Sequence, residues 1–268
     1  MVDEVGIGKA AEHRVRSAVN DVVGSVEDVC ELPVTDVVVR LVSPKQAARH
    51  FAKFARSVFA GEHILAPDAT DKERQVVRMA SRMLPGFLYA VRRVMWPVIN
   101  GQTIQGTDGT PEILVLPRVW SHQRTTDNLL RMYMAHELGH VVQNGSAPWV
   151  AARCRTLLEA KADLPEVSIF AEGHATWVHR RVSEQVLGSI PHPGKSSLRT
   201  RGTVLLCRCL PVLPPQRNYE EGEQFVSKAV AHGGIGMVNR AWADPSLVPT
   251  ASEIADPGQW VTRVKATA

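Results

Sequence analysis

The 268-residue chain contains no apolar run of about eighteen residues or more, so a membrane-spanning helix is not expected. Its first twenty residues are polar and charged and lack the apolar h-region of a secretory signal, which makes the cytoplasm the expected compartment. Cysteine is scarce. The four present (Cys30, Cys154, Cys207, Cys209) are too few and too irregularly spaced for a disulfide framework. Cys207 and Cys209 fall in the apolar run VLLCRCL, where two small buried thiols on a strand are expected in preference to a second metal site. Aromatic residues make up 6% of the chain, and no compact basic block is interleaved with them. The formal charge of +4 comes from scattered residues such as Arg40, Arg56, Arg92 and Arg180, read as a solvated surface, so a nucleic-acid partner is not favoured.

What remains has the composition of an ordinary folded protein with a substantial core. Val34–Val42 is rich in β-branched residues and predicts a strand. Ser43-Pro44 opens a helix to about Ala60, with apolar residues at helical spacing and Gly61 as its stop. Thr70 and Glu73 form a capping-box pattern for a helix reaching Pro85-Gly86, and a further helical segment runs to Pro97. Asn100–Thr110 is turn-rich and leads into a short apolar strand, Glu112–Leu116. A long helix is expected from about Thr125–Asp127 to Asn144, and another from Glu166 to Leu187. Gly188–Gly202 reads as a loop, Asn218–Gly234 as a helix, and the rest as a proline-punctuated tail. The first thirty residues give no firm element boundary.

The run HELGH carries the chemistry. His136 and His140 lie four residues apart, which stacks them on one helical face where both imidazoles can bind one zinc ion. Glu137 then projects beside the metal, placed to take a proton from zinc-activated water. Leu129, Leu130, Met132, Tyr133, Met134 and Ala135 precede the run, so this helix should be deeply buried. Two buried histidines and a glutamate would be costly without a cation to satisfy them. A catalytic zinc needs a third protein ligand and an open position. The metzincin continuation HExxHxxGxxH is absent, because Gln143 and Ser146 occupy the glycine and histidine positions. The other common solution is a glutamate on a following helix, and FAEGHATWV supplies Glu172, thirty-two positions after His140.

EGHATWV resembles the E-G-x-A-x-aromatic-aliphatic signature of gluzincin aminopeptidases, in which the glutamate is the third zinc ligand. On that likeness, Gly173 and Ala175 would let this helix lie close to the HELGH helix. The sequence from Asp127 to Val264 is more similar still to a bacterial family of zinc-dependent, zincin-like metallopeptidases. Those proteins carry an HExTH-type motif, an EGHA segment, a Y-x-x-G-x-x-F-V helix and a W-x-x-P-x-x-x-P-T run. Here the last two are Tyr219, Gly222, Phe225 and Val226, then Trp242, Pro245, Pro249 and Thr250. Gly139 stands where the family more often has threonine, at a position facing away from the metal.

The resemblance implies an α+β, predominantly helical fold of the zincin (gluzincin) type, with a small mixed sheet and an HExxH active-site helix. One domain over 1–268 is expected, with two lobes (1–124 and 125–268) as an alternative division. It also implies an oxyanion-stabilising donor, for which Tyr219 is the candidate because it opens the family-like helix. His179, seven residues after Glu172 on the same face, is a candidate support for the ligands, and His174, on another face, a candidate substrate contact. The strand Glu112–Leu116 is a candidate edge for an extended peptide. The expected function is one-zinc hydrolysis of a peptide or small-molecule amide with Glu137 as general base. Two alternatives stay open: a zinc enzyme acting on a small biosynthetic metabolite, and a non-catalytic binding protein on a zincin scaffold.

Overall fold

A computed structural model describes residues 1–6, 8–60, 69–106, 108–146, 148–150, 166–194, 197–209 and 216–267. Gly61, Cys154, Lys195 and Ser196, and the side chains of Glu73, Cys207 and Cys209, lie outside that description. The fold is predominantly helical around one small mixed sheet. Among the described residues no helix is long and apolar enough to cross a membrane.

The sheet has four strands, β1 (Val2–Asp3), β2 (Val38–Leu41), β3 (Gly101–Gln105) and β4 (Pro111–Val115), in the order β1-β2-β4-β3. β1 and β2, and β2 and β4, pair in parallel, while β3 returns antiparallel along β4 with Thr103 opposite Ile113. Every residue of β4 is buried. Ile113 and Val115 join one hydrophobic cluster, Leu114 and Leu116 another, because alternate side chains leave opposite faces. A strand covered on both faces reads as a continuous apolar run, which is why this one is evident in the sequence.

β3 was not expected. Gly-Gln-Thr-Ile-Gln lacks apolar alternation, and its two β-branched residues, Thr103 and Ile104, sit among a glycine and two glutamines, so its register against β4 is what defines the strand. Its presence also corrects the candidate peptide edge, since β4 is interior and the described edge on that side is β3. The predicted strand at 34–42 shortens to β2.

Eleven α-helices are described. α1 (Lys9–Cys30) buries Val15, Ala18, Val22, Val26 and Cys30, a stripe at helical spacing, against the core. α2 (Pro44–Ala60) and α3 (Asp71–Met95) pack as a pair over the second sheet face. The sequence divides α3 at Pro85-Gly86, but the helix is continuous. Val77, Leu84, Leu88, Val91 and Met95 form one unbroken stripe across the proline, and burial of that stripe outweighs the lost hydrogen bond. α4 (Pro117–Gln123) then leads to α5 (Asp127–Asn144), whose Thr126 side chain caps the helix by accepting from the Leu129 amide at 3.2 Å.

α6 (Glu166–Leu187) has the bounds the sequence predicts. α7 (Leu198–Cys209) occupies part of the expected loop and puts the CxC on a helix rather than a strand, since so short an apolar run does not separate the two periods. α8 (Gln216–Gly233) follows, and the proline-punctuated tail folds into α9 (Ile235–Ala243), α10 (Ala251–Ala255) and α11 (Pro257–Ala266). In the core, α5 lies against α1, α6 and β3, while α6 also packs on α8. This arrangement buries α5 nearly all round.

Candidate metal centre

α5 presents His136 and His140 toward α6 and Glu137 toward β3, and α6 presents Glu172 back to the two histidines. The Nε2 atoms of His136 and His140 each lie 3.4 Å from Glu172 Oε2. One donor atom from each of the three residues falls within 4.8 Å of the others. Two imidazole nitrogens and a carboxylate oxygen at that separation form the donor set of a three-ligand zinc site.

The electrostatics describe a nest for a cation. Burial works against the His136 imidazolium, yet the hydrogen-bonded Glu172 carboxylate, helped by Glu137 and the Ala175 carbonyl, holds its pKa above the ordinary histidine value. Burial likewise opposes ionisation of Glu172, and the two histidines overcome it, so its carboxyl titrates well below the usual range. A proton or a metal ion satisfies such a group equally in sign, and the ligand chemistry favours the metal.

The ligands are held from behind. Gln143, fully buried, accepts at Oε1 from His140 Nδ1 at 3.0 Å, which leaves His140 Nε2 as the metal-facing nitrogen. The Gln143 Nε2 group donates to the Ala171 carbonyl at 2.9 Å and lies 3.0 Å from His174 Nδ1. His174 is itself fully buried beside Trp177 and Trp242 and does not line the cavity. The expected substrate contact there is therefore corrected. Two helical positions rotate a side chain by about 200°, which turns His174 to the opposite side of α6 from Glu172. Burial first, then the charges of His140 and His136, lower its pKa to about 3, so it is neutral. His179 stays with the ligands: its Nδ1 lies 3.2 Å from His136 Nδ1, and burial and the His136 charge keep its pKa well below the ordinary value.

Glu137 is 7% exposed and is fixed by β3. The Thr103 hydroxyl lies 2.7 Å from Glu137 Oε2 and 3.0 Å from the Glu137 carbonyl. A Cβ on Gly101 would come within 3.1 Å of the Glu137 side chain, so the missing side chain there leaves the carboxylate its room.

Glycines also set the helix spacing. A Cβ at Gly139 would meet Ala175 Cα at 3.3 Å, so Gly139 does face α6 rather than the metal. Gly173 does not touch α5 as the resemblance implied. It crosses Gly222 of α8, where a Cβ would sit 2.2 Å from the Gly222 carbonyl carbon. This crossing carries Tyr219 over the site, with its ring centroid 6.2 Å from that of His136.

The donor set opens into a cavity of about 520 Å³. His136, Glu137, His140, Glu172, His179 and Tyr219 line it on one side, all of β3 on another, and Phe51, Phe54, Leu88 and Val91 on the apolar side. Arg92 lines it too, partly buried, which corrects its assignment to the solvated surface. The signal was available in part: Arg92 follows Leu88 by one helical turn, on the packed side of α3. Gln143 likewise sits one turn after His140, whereas nothing in the sequence marks Gly101 or Thr103.

A crystal structure from Chloroflexus aurantiacus, described as a candidate hydrolase with a novel fold, matches with a TM-score of 0.54 and 18% identity. The match covers 96% of this chain and 90% of that one, and at such identity it speaks for the fold alone. No curated protein matches the chain. The zincin-like metallopeptidase family model matches residues 159–261, a span that holds Glu172, His174, His179 and Tyr219 and begins after the HELGH run. Of the donor set, Glu172 lies inside the span similar to that family, and His136 and His140 lie before it.

Proposed function

We propose that the protein is a one-zinc hydrolase of peptide or small amide bonds. The observation that carries this reading is the convergence of His136 Nε2 and His140 Nε2 on Glu172 Oε2, at the floor of an open cavity with Glu137 beside them. His136, His140 and Glu172 would hold the metal. Zinc in such a site supplies a Lewis acid that polarises the scissile carbonyl and lowers the pKa of water toward about 7.

The chain's own groups do the rest. Glu137 accepts the proton of the attacking water on its carboxylate and delivers it to the leaving nitrogen, while Thr103 restrains the carboxylate at Oε2. Tyr219 is the donor for the developing oxyanion, through a hydrogen bond from its hydroxyl. The outer edge of β3 offers main-chain groups to an extended substrate, and the cavity volume suits a short peptide end or a compact amide.

Metal analysis joined to turnover tests this reading. Glu172→Ala should lose zinc, and Glu137→Gln should keep it while losing hydrolysis of peptide and amide substrates. Zinc bound as tightly by Glu172→Ala as by the wild type would remove the ligand assignment, and turnover by Glu137→Gln would remove the mechanism.

A further inference from the structure

Arg92 is a cation in an unusual position. It projects from α3 into the cavity of the metal centre, and its guanidinium carbon stands 4.3 Å from the centroid of the Phe51 ring. Among the described residues no carboxylate pairs with it and no hydrogen bond satisfies its fork. Elsewhere in the molecule arginines with this degree of burial have partners: Arg40 pairs with Glu4 and Glu112, and Arg131 with Asp21. With one face covered by Phe51, the N–H edge is what remains to meet a ligand.

We infer that Arg92 anchors a carboxylate of the substrate, seated between Phe51 and the metal-ligand cluster, so that the substrate class is an amide carrying a free carboxylate. The inference rests on the metallohydrolase reading above and adds to it the chemistry of the substrate. A planar guanidinium meets a carboxylate with two parallel hydrogen bonds, a fit that lysine does not reproduce.

The charges around the cavity agree. Among the described lining residues Glu137 and Glu172 are the carboxylates, and Arg92 is the only guanidinium or ammonium group. A divalent ion on the His136, His140 and Glu172 donor set matches those two carboxylates, and Arg92 is then the uncompensated charge. A monoanionic substrate neutralises the site, and the apolar wall of Phe51, Phe54, Leu88 and Val91 accepts the hydrocarbon beside its carboxylate. Burial pulls the Arg92 pKa down to about 10, against the fields of Tyr219, Glu137 and Glu172, so the group remains charged at neutral pH. A desolvated, still-charged donor of this kind contributes discrimination because a neutral ligand leaves it unpaired.

The carboxylate has two sources, a free C-terminus or an acidic side chain. Titration calorimetry on the zinc-loaded full chain separates them with three probes: N-acetylphenylalanine, its primary amide, and N-acetylglutamate α-amide. At least one carboxylate probe should bind about 30-fold or more tighter than the neutral amide. Preference for N-acetylphenylalanine assigns a C-terminal carboxylate, and preference for N-acetylglutamate α-amide assigns a side chain. Arg92→Gln should abolish the preference without loss of bound zinc, and Arg92→Lys should restore part of it. Equal binding of all three probes by the wild type, a test that needs no variant, overturns the inference. So does a preference that survives Arg92→Gln, which would mean the carboxylate sits on the metal. In both cases retained zinc shows that the failure is Arg92's alone, whereas a chain that takes up no zinc overturns the hydrolase reading and this inference with it.

Discussion

The crossing of α6 and α8 at Gly173 and Gly222 can be tested by adding one methyl group. In Gly222→Ala the new Cβ would stand 2.1 Å from the Ile169 carbonyl oxygen and 2.7 Å from Gly173 Cα. Relaxed carbon–oxygen contacts lie near about 3.3 Å or beyond, so the helices must part by roughly 1 Å. Both obstacles are backbone, and no side-chain rotation relieves them. Overpacking of this kind costs about 1–3 kcal/mol or more, against a helix-propensity gain of about 1 kcal/mol for replacing glycine. A net loss near 2 kcal/mol should lower Tm by roughly 4–8 °C in a chain of this size. The parting also draws Tyr219 away from His136, so turnover should fall further than stability alone explains. Gly24→Ala is the internal control: Gly24 is exposed within α1, has no atom within 4 Å of its would-be Cβ, and should raise Tm by a few degrees. Scanning calorimetry of the two zinc-loaded variants decides the matter. If Gly222→Ala shifts Tm as Gly24→Ala does, the helices do not meet there and the account of how Tyr219 is placed is wrong.

Gln143→Leu preserves volume but strips the acceptor from His140 Nδ1 and removes the donor to the Ala171 carbonyl, so it should weaken zinc affinity about 10–100-fold in a chelator competition and cost about 1–3 kcal/mol of stability; unchanged affinity would refute the orienting role. Glu253 pairs with Arg263 at 2.6 Å and 3.0 Å and accepts from the Thr250 amide at 2.9 Å; the Arg263 hydrogen bond lowers its pKa against the opposing effect of burial. Because the folded pKa is depressed, the stabilisation is present above the unfolded value of about 4.3 and is lost as pH falls through the folded one. Glu253→Gln should therefore cost about 1–3 kcal/mol in urea denaturation at neutral pH, and the gap to wild type should close in acid; a gap that does not vary with pH would contradict the assignment.

The parts of the site that were legible in the sequence are those whose signals are local. His136, Glu137 and His140 share one turn of one helix, and Thr126 and Gly145 delimit that helix as its caps a few residues away. Glu172 was legible as a glutamate at a workable distance in a segment with a family-like pattern. The residues that support them were not, because their partners are remote: Thr103 reaches Glu137 from the sheet, 34 positions away, and Gln143 reaches His174 from another helix. A strand such as β3 exists only by virtue of the neighbour it pairs with. Pro85 misled in the other direction, since a local breaker lost to the packing of a stripe that spans it.

An unpaired sheet edge exposes the protein to itself. Among the described residues no strand pairs with the outer side of β3, next to the site, and another copy of the chain could pair there as readily as a substrate. The strand limits that hazard by its composition. It is five residues long, opens on a glycine and carries two glutamines, so a cross-chain ladder built on it would be short and without an apolar face to consolidate it. Brevity and polarity, which hid this strand in the sequence, also make it a poor template for pairing between copies through the cleft.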